Sequence, residues 1–409
     1  MPTIEGNLVT TQKVFRGRVE IDQSGTISKI GVPSGDADFV FGEELIFPGF
    51  VDLHVHAREC ADHSQDYKED FQSAGAAAIA GGVTAFADMP NNPTPPVDDA
   101  SYKTKAKLAE KSSVPVLCYA GIGANTQPLK KKVPYKVFMG PSVGELFFNS
   151  DEELERRVML YTGQSVSFHC EDPEIIHEKS HEITHEARRP KEAEVVAVAF
   201  ALELIKKYKL KGKICHCSTI EGIRKIAEAR RWGMNVSVEV TPHHLFFDET
   251  ILNEKNRKMF QVNPPIRQTK ENRLAMIEVL RAGDIDYLAT DHAPHTLEEK
   301  EKGTSGLPHL DTYGSFTTWL MAEHNFTPED IARVSSRNPG GFFNEFSEEK
   351  CGEIKEGYTG SLTVINLNKK LKVEKEKLKT KCGWSPFEGV TFPGSVVMTV
   401  VGGKIYAKS

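Results

Sequence analysis

The stretch Phe50-Val51-Asp52-Leu53-His54-Val55-His56-Ala57-Arg58 is a short apolar run that ends in two histidines placed two apart. Side chains alternate across a strand, so both imidazoles leave one face of it. Seven further runs of the same kind follow along the chain: Val83–Met89, Val114–Ala120, Val133–Met139, Val166–Cys170, Lys213–Cys217, Val236–Thr241 and Tyr287–Asp291. They are rich in Val, Ile, Phe and Tyr and often apolar throughout, as strands buried on both faces are. Between them lie helical patterns at Tyr67–Ala80, Asp98–Glu110, Asp151–Tyr161, Lys191–Tyr208, Ile220–Arg231 and Lys270–Arg281. This alternation predicts an α/β protein built on a (β/α)8 TIM-like barrel. A doubly wound open sheet competes with it, but no glycine-rich phosphate turn follows the first strand.

Polar residues keep step with the strands. Lys136 falls in the fourth, His169 and His216 near the ends of the fifth and sixth, and Asp291 ends the eighth. The C-terminal ends of barrel strands form the active face, so four imidazoles, a carboxylate and a lysine are expected to converge there. That set suits a two-metal hydrolase. Imidazole and carboxylate ligands favour zinc, with cobalt, manganese or nickel fitting the same donors. Any one of these histidines alone would read as a hydrogen-bonded core residue. Lys136 has two readings: an ammonium turned to solvent, or an amine carboxylated by CO2 to a carbamate whose oxygens bridge two metals.

The bulk of the chain is compatible with this. Its 409 residues, 39% hydrophobic and 26% charged, fit one large and one small domain of an ordinary globular protein. A net charge of −6 leaves no basic footprint for nucleic acid or an acidic membrane, and Lys130-Lys131-Lys132 reads as a solvated loop. No apolar stretch nears the roughly 20 residues that span a bilayer, and the N-terminus lacks a signal-peptide layout. Seven cysteines, sparse and odd in number, read as free thiols in a reducing cytoplasm. Cys215 and Cys217 flank His216, so strand alternation turns them away from it to pack under helices.

The two ends differ from the middle. Residues 1–47 hold short β-like pieces (Lys13–Asp22, Ile27–Ile30), and Ser361–Asn366, Ser395–Val401 and Lys404–Ala407 read the same way. Neither end could bury a core alone. The expected organisation is a barrel over residues 48–352, with residues 1–47 and 353–409 pairing into one small β-sandwich domain.

The ordered series His54-Val55-His56, Lys136, His169, His216 and Asp291 resembles the amidohydrolase superfamily. Within it the chain is similar to the dihydroorotases of the larger type. The resemblance rests on Pro48-Gly49-Phe50-Val51-Asp52-Leu53-His54-Val55-His56 with Arg58-Glu59, and on Asp88-Met89-Pro90-Asn91-Asn92-Pro93. Val240-Thr241-Pro242-His243-His244-Leu245, Asn263-Pro264-Pro265-Ile266-Arg267 and Ala289-Thr290-Asp291-His292-Ala293-Pro294-His295 complete it. It runs from about residue 45 to residue 389. The resemblance implies two Zn2+ ions bridged by carboxylated Lys136, and it implies Asp291 as the proton carrier. It also implies the reversible cyclisation of N-carbamoyl-L-aspartate to L-dihydroorotate in pyrimidine synthesis, with Asn91, Asn263 and His295 holding the substrate. A homodimer, or association with an aspartate carbamoyltransferase, is the partnership it leaves open.

Arg58 carries the substrate argument. It lies two residues past the metal pair, points the same way, and can grip a carboxylate in bidentate fashion. The competing reading of Arg58 is an ion pair with Glu59 or Asp62. Hydantoinases and allantoinases, the alternative within the superfamily, open rings that lack the carboxylate. Two departures from the family pattern stand beside the expected pocket: the polar segment Cys60–Asp66, where Pro-Gly is usual, and His309, where glycine is common. The segment from His292 to Leu310 reads as a lid. His181-Glu182-Ile183-Thr184-His185 fits the HExxH pattern of zinc proteases, but Thr184, the nearby Pro190 and the charge of the segment argue against a stable helix there. An inactive scaffold would have lost catalytic residues, and here all are present.

Overall fold

A computed structural model describes residues 2–141 and 146–407. The eight expected barrel strands are all present, at Phe50–Val55, Val83–Asp88, Val116–Cys118 with Ala120–Gly121, Tyr135–Phe138, Ser165–His169, Lys211–Ile214, Val236–Val240 and Tyr287–Leu288. Each pairs in parallel with the next. The third is broken at Tyr119, with its first part hydrogen-bonded to the second strand and its last part to the fourth. A parallel bridge between Val55 and His292 closes the ring, and the His56 N–H donates to the His292 carbonyl at 2.8 Å. The barrel is thus closed by residues just beyond the last regular strand.

Helices Phe71–Gly81, Asp99–Ala109, Asp151–Val158, Lys191–Lys207, Ile220–Arg231 and Lys270–Ala282 follow the strands. Five of the six start at a side-chain cap, from Asp70, Asp98, Ser150, Thr219 and Thr269. Each such cap contributes about 1 kcal/mol. The Asp70 cap also moves the first helix to start at Phe71, after the Tyr67 of the sequence pattern. Gly81 closes that helix against the next layer, since a Cβ there would lie 2.0 Å from the Leu310 carbonyl oxygen.

Strands from both ends of the chain form one seven-stranded sheet. Its order is Lys404–Ala407, Ser395–Val401, Leu362–Asn366, Phe39–Pro48, Thr3–Val9, Val14–Ile21 and Ile27–Gly31. The sheet wraps an apolar cluster that includes Ile4, Leu8, Val19, Ile21, Ile46, Leu362, Val364 and Val400. The hairpin turns before its two edge strands meet at Gly360, whose N–H donates to the Gly25 carbonyl and whose carbonyl accepts the Gly403 N–H. Phe39–Pro48 runs straight into the first barrel strand. Residues 379–384 cross back over the barrel, where the Thr380 hydroxyl bonds Glu69 and the Trp384 indole N–H donates to the His295 carbonyl at 2.7 Å. Among the described residues no helix is long and apolar enough to cross a membrane, and all seven cysteines are free.

Candidate metal centre and its cavity

His54 and His56 emerge together at the end of the first strand, and both face Asp291. The His54 Nε2 lies 3.2 Å from Asp291 Oδ1, and the His56 Nε2 3.0 Å from the same oxygen. On the other side the His169 Nδ1 is 2.9 Å from the His216 Nε2. The ring centroids of His54 and His216 are 5.1 Å apart, which joins the two pairs. One ligand atom each from His54, His216 and Asp291 lie within 4.8 Å of one another. All five side chains are buried.

Two of these residues reach the centre through unusual backbone. His216 has φ 33° and Asp291 φ 51°, and Arg58 beside them has φ 61°. A left-handed conformation costs a non-glycine residue about 1–3 kcal/mol, so surrounding contacts must hold it. The Glu239 carboxylate accepts the His216 N–H at 3.1 Å. Asp52 accepts both the N–H and the hydroxyl of Thr290, and the Thr290 hydroxyl in turn accepts the His292 N–H, fixing the chain on either side of Asp291.

Carboxylates behind the rings set their orientation. Glu239 takes His54 Nδ1 with one oxygen and the buried Lys213 ammonium with the other. Glu171 meets His169 Nε2 at 3.0 Å and pairs with Arg189. Glu239, Glu171, Lys213 and Asp52 are absent from the sequence reading. Their one signal is a charged residue inside, or two positions from, an otherwise apolar run.

The electrostatics favour neutral imidazoles. Burial lowers the pKa of His54, His56, His169 and His216, and the Lys136 cation lowers all four further. Burial pushes Asp291 up to about 7, against the pull of Lys136. Lys136 is fully buried, and its Nζ has no hydrogen-bond partner among the described residues. A buried ammonium without an acceptor costs several kcal/mol. Four imidazoles and a carboxylate gathered near one unpaired amine could hold a divalent metal, and Lys136 is the misfit that a carbamate would remove.

The cavity over these residues is lined also by Arg58, Asn91, Phe138, Asn263, Ala293 and Gly306. The side-chain oxygens of Asn91 and Asn263 are buried there without partners among the described residues. Arg58 is anchored by its Nε to the Pro294 carbonyl at 3.2 Å and by its Nη2 to the His295 Nε2 at 3.0 Å. It pairs with neither Glu59, which meets Lys111, nor Asp62. His295 lies behind Arg58 and is not among the lining side chains. A wider groove of about 810 Å³, lined in part by Tyr102, Leu117 and Phe346, opens elsewhere and contains none of these groups.

Comparison with known proteins agrees with this geometry. The model of the amidohydrolase family matches residues 45–406. The chain belongs to the amidohydrolase family. It is 34% identical over 406 residues to the dihydroorotase of Pyrococcus horikoshii, covering 98% of this chain and 91% of that protein. It is 32% identical over 405 residues to the dihydroorotase of Pyrococcus furiosus, with the same coverage of both. Among solved structures it is similar to the L-hydantoinase (dihydropyrimidinase) of Arthrobacter aurescens, with a TM-score of 0.88 at 23% identity over 99% of this chain and 96% of that one. At that identity the likeness speaks for the fold alone.

Several expectations about this amidohydrolase need correction. Cys215 does not pack under a helix: its Sγ joins His54 and Glu239 in a group within 4.8 Å. Strand six ends at Ile214 and His216 is left-handed, so alternation stops before Cys215 and both side chains turn inward. Cys217 does lie under Lys191–Lys207, its thiol donating to Glu194 at 3.3 Å. His309 does not border the cavity; it is buried behind it, 3.0 Å from His243 Nδ1 and edge-on to Phe387. Nor does any residue of Cys60–Asp66 line it. As the sequence predicts, the His181–His185 segment is not one helix. Thr184 caps a new short helix, His181 is 75% exposed, and His185 is buried against the Val262 carbonyl, so the two rings share no metal. Within the 292–310 segment, Ser305 and Gly306 line the cavity, and the buried Lys300 ammonium donates to the carbonyls of Gln261, Thr304 and Gly306.

Proposed function

We propose that this amidohydrolase is a dihydroorotase that interconverts N-carbamoyl-L-aspartate and L-dihydroorotate, using two zinc ions held by His54, His56, His169, His216, Asp291 and carboxylated Lys136. The observation that carries the substrate reading is Arg58. It is a buried guanidinium on the cavity wall beside the imidazole cluster, with its Nη1 in no hydrogen bond among the described residues. A cyclic imide that bears a carboxylate needs such a cation, and an uncharged ring does not. The names of the curated relatives support the same substrate.

When bound, the two metals supply a water ionised near neutral pH and a Lewis acid for the ring carbonyl. The remaining steps belong to the chain. Arg58 orients the ring by its carboxylate, and Asn91 and Asn263 offer unfilled acceptors to ring N–H groups. Asp291 takes the proton of the nucleophile as the new C–O bond forms. It returns that proton to the ring nitrogen as the C–N bond breaks. Reversal closes the ring and releases water.

Turnover of the zinc-loaded protein on dihydroorotate, with hydantoin, allantoin and dihydrouracil in parallel, tests this reading. Preference for dihydroorotate is expected. Turnover of uncharged rings alone would make the protein a hydantoinase- or allantoinase-like enzyme and remove Arg58 from substrate recognition.

A further inference from the structure

Two loops meet in the wall of the cavity. One carries Asn263; the other follows the short helix Leu297–Glu301 and brings Ser305 and Gly306 to the lining. Neither belongs to a barrel strand, so their spacing has to be fixed by side chains and turns. Gly306 is closely fitted: its φ is 143°, and a Cβ on it would lie 2.5 Å from the Ala293 carbonyl oxygen. Its N–H donates to the Gln261 carbonyl at 3.0 Å, and a bridge between His292 and Leu307 pins the chain just after it.

The side chain that joins the two loops is Lys300. It is fully buried, and no carboxylate pairs with it among the described residues. An ammonium has three N–H donors and no acceptor. Here each donor has its own carbonyl: Gln261 at 2.8 Å, Thr304 at 2.7 Å and Gly306 at 2.9 Å. Burial, and after it the Arg58 cation, pull the Lys300 pKa down to about 7, and the three carbonyls hold the third proton against that pull. The Gln261 side chain adds a second tie, donating to the Gly303 carbonyl and to the Ser305 hydroxyl. A buried cation without a counterion is costly, and a methionine would fill the same space with less penalty.

Resting on the dihydroorotase reading for its substrate, we infer that Lys300 is a positioning residue for substrate binding. Its ammonium clasps Ser305 and Gly306 to the loop of Gln261 and Asn263, and so sets the shape of the wall that meets the ring. Lys300 is not among the lining side chains and acts through the two loops. Without the ammonium, the Thr304 and Gly306 carbonyls lose their buried donor and turn toward water, which draws the wall apart.

Hydrogen exchange and steady-state kinetics on dihydroorotate test the clasp in the zinc-loaded wild type, Lys300→Met and Gln261→Leu, with metal content and melting temperature alongside. In Lys300→Met, residues 303–307 are expected to exchange about tenfold faster or more, with the barrel strands unchanged. KM should rise about tenfold or more, the scale of a lost hydrogen bond to a charged group, with kcat within about threefold and metal retained. A merely structural lysine would lower the melting temperature and leave KM in place when the assay runs well below it. A KM within about twofold of wild type, or unchanged exchange at 303–307, overturns the inference. Should Lys300→Met fail to fold or lose metal, Gln261→Leu decides: a KM rise of about threefold supports the clasp, and an unchanged KM overturns it. A wild type that opens only uncharged rings overturns the dihydroorotase reading alone. The exchange measurement needs no substrate, and KM is then read on the ring that is opened.

Discussion

On one side of the cavity His54, His56, His169 and His216 stand at strand ends, with Glu239 and Glu171 behind two of the rings. On the other, Arg58, Asn91 and Asn263 come from loops; Arg58 rests on a carbonyl and an imidazole, and the two amide oxygens have no partner among the described residues. Among the described residues the first wall leaves Lys136 Nζ, one nitrogen of His216 and one oxygen of Glu171 without hydrogen-bond partners, but carboxylates brace two of its rings. The second leaves two acceptors open. Rings oriented from behind by carboxylates suit an occupant that stays, and loop amides without such braces suit one that comes and goes. Damage to the first should therefore remove chemistry or metal, and damage to the second should weaken affinity.

Asp291→Asn tests the first wall most severely. The amide cannot carry the proton, so kcat should fall by about a thousandfold or more while most bound metal remains. Near wild-type turnover would take Asp291 out of the chemistry. Glu239→Gln should act one step back, lowering metal affinity about 10–100-fold in chelator competition, because the His54 ring loses its charged brace. Unchanged affinity would mean that packing alone orients the ring. Across the cavity, Arg58→Lys should raise KM for dihydroorotate about 10–100-fold, with a smaller effect on kcat and none on metal. If metal fell with it, the two walls would not be separable. The smallest effect belongs to His181→Ala, which should leave metal content intact and stability within about 0.5 kcal/mol.

The two walls also differed in how readily the sequence revealed them. Strand-borne ligands are legible because a buried parallel strand is apolar, and a His or Lys inside it stands out. Ile220–Arg231 and Ser395–Val401 keep their expected bounds because a cap or a clean apolar run marks each end. Thr3–Val9 was hidden by Glu5 and Gly6, although Gly6 is there for packing: a Cβ on it would lie 2.6 Å from Ile46 Cδ1. Glu239 meets His54 across 185 residues of sequence, and no local pattern announces such a pair. His309 and Cys215 misled for a related reason. Their neighbours are set by a left-handed residue or by the 379–387 crossing, neither of which periodicity describes.

The left-handed backbone of Arg58, His216 and Asp291 has a consequence for anyone who evolves this protein for heat tolerance. Glycine or asparagine at these positions would relieve backbone strain of about 1–3 kcal/mol. A screen that rewards survival alone is thus drawn to the places where the proposed chemistry uses a guanidinium, an imidazole and a carboxylate. Robustness and activity are set against each other at three known positions, so a library that holds those three fixed can improve one without erasing the other.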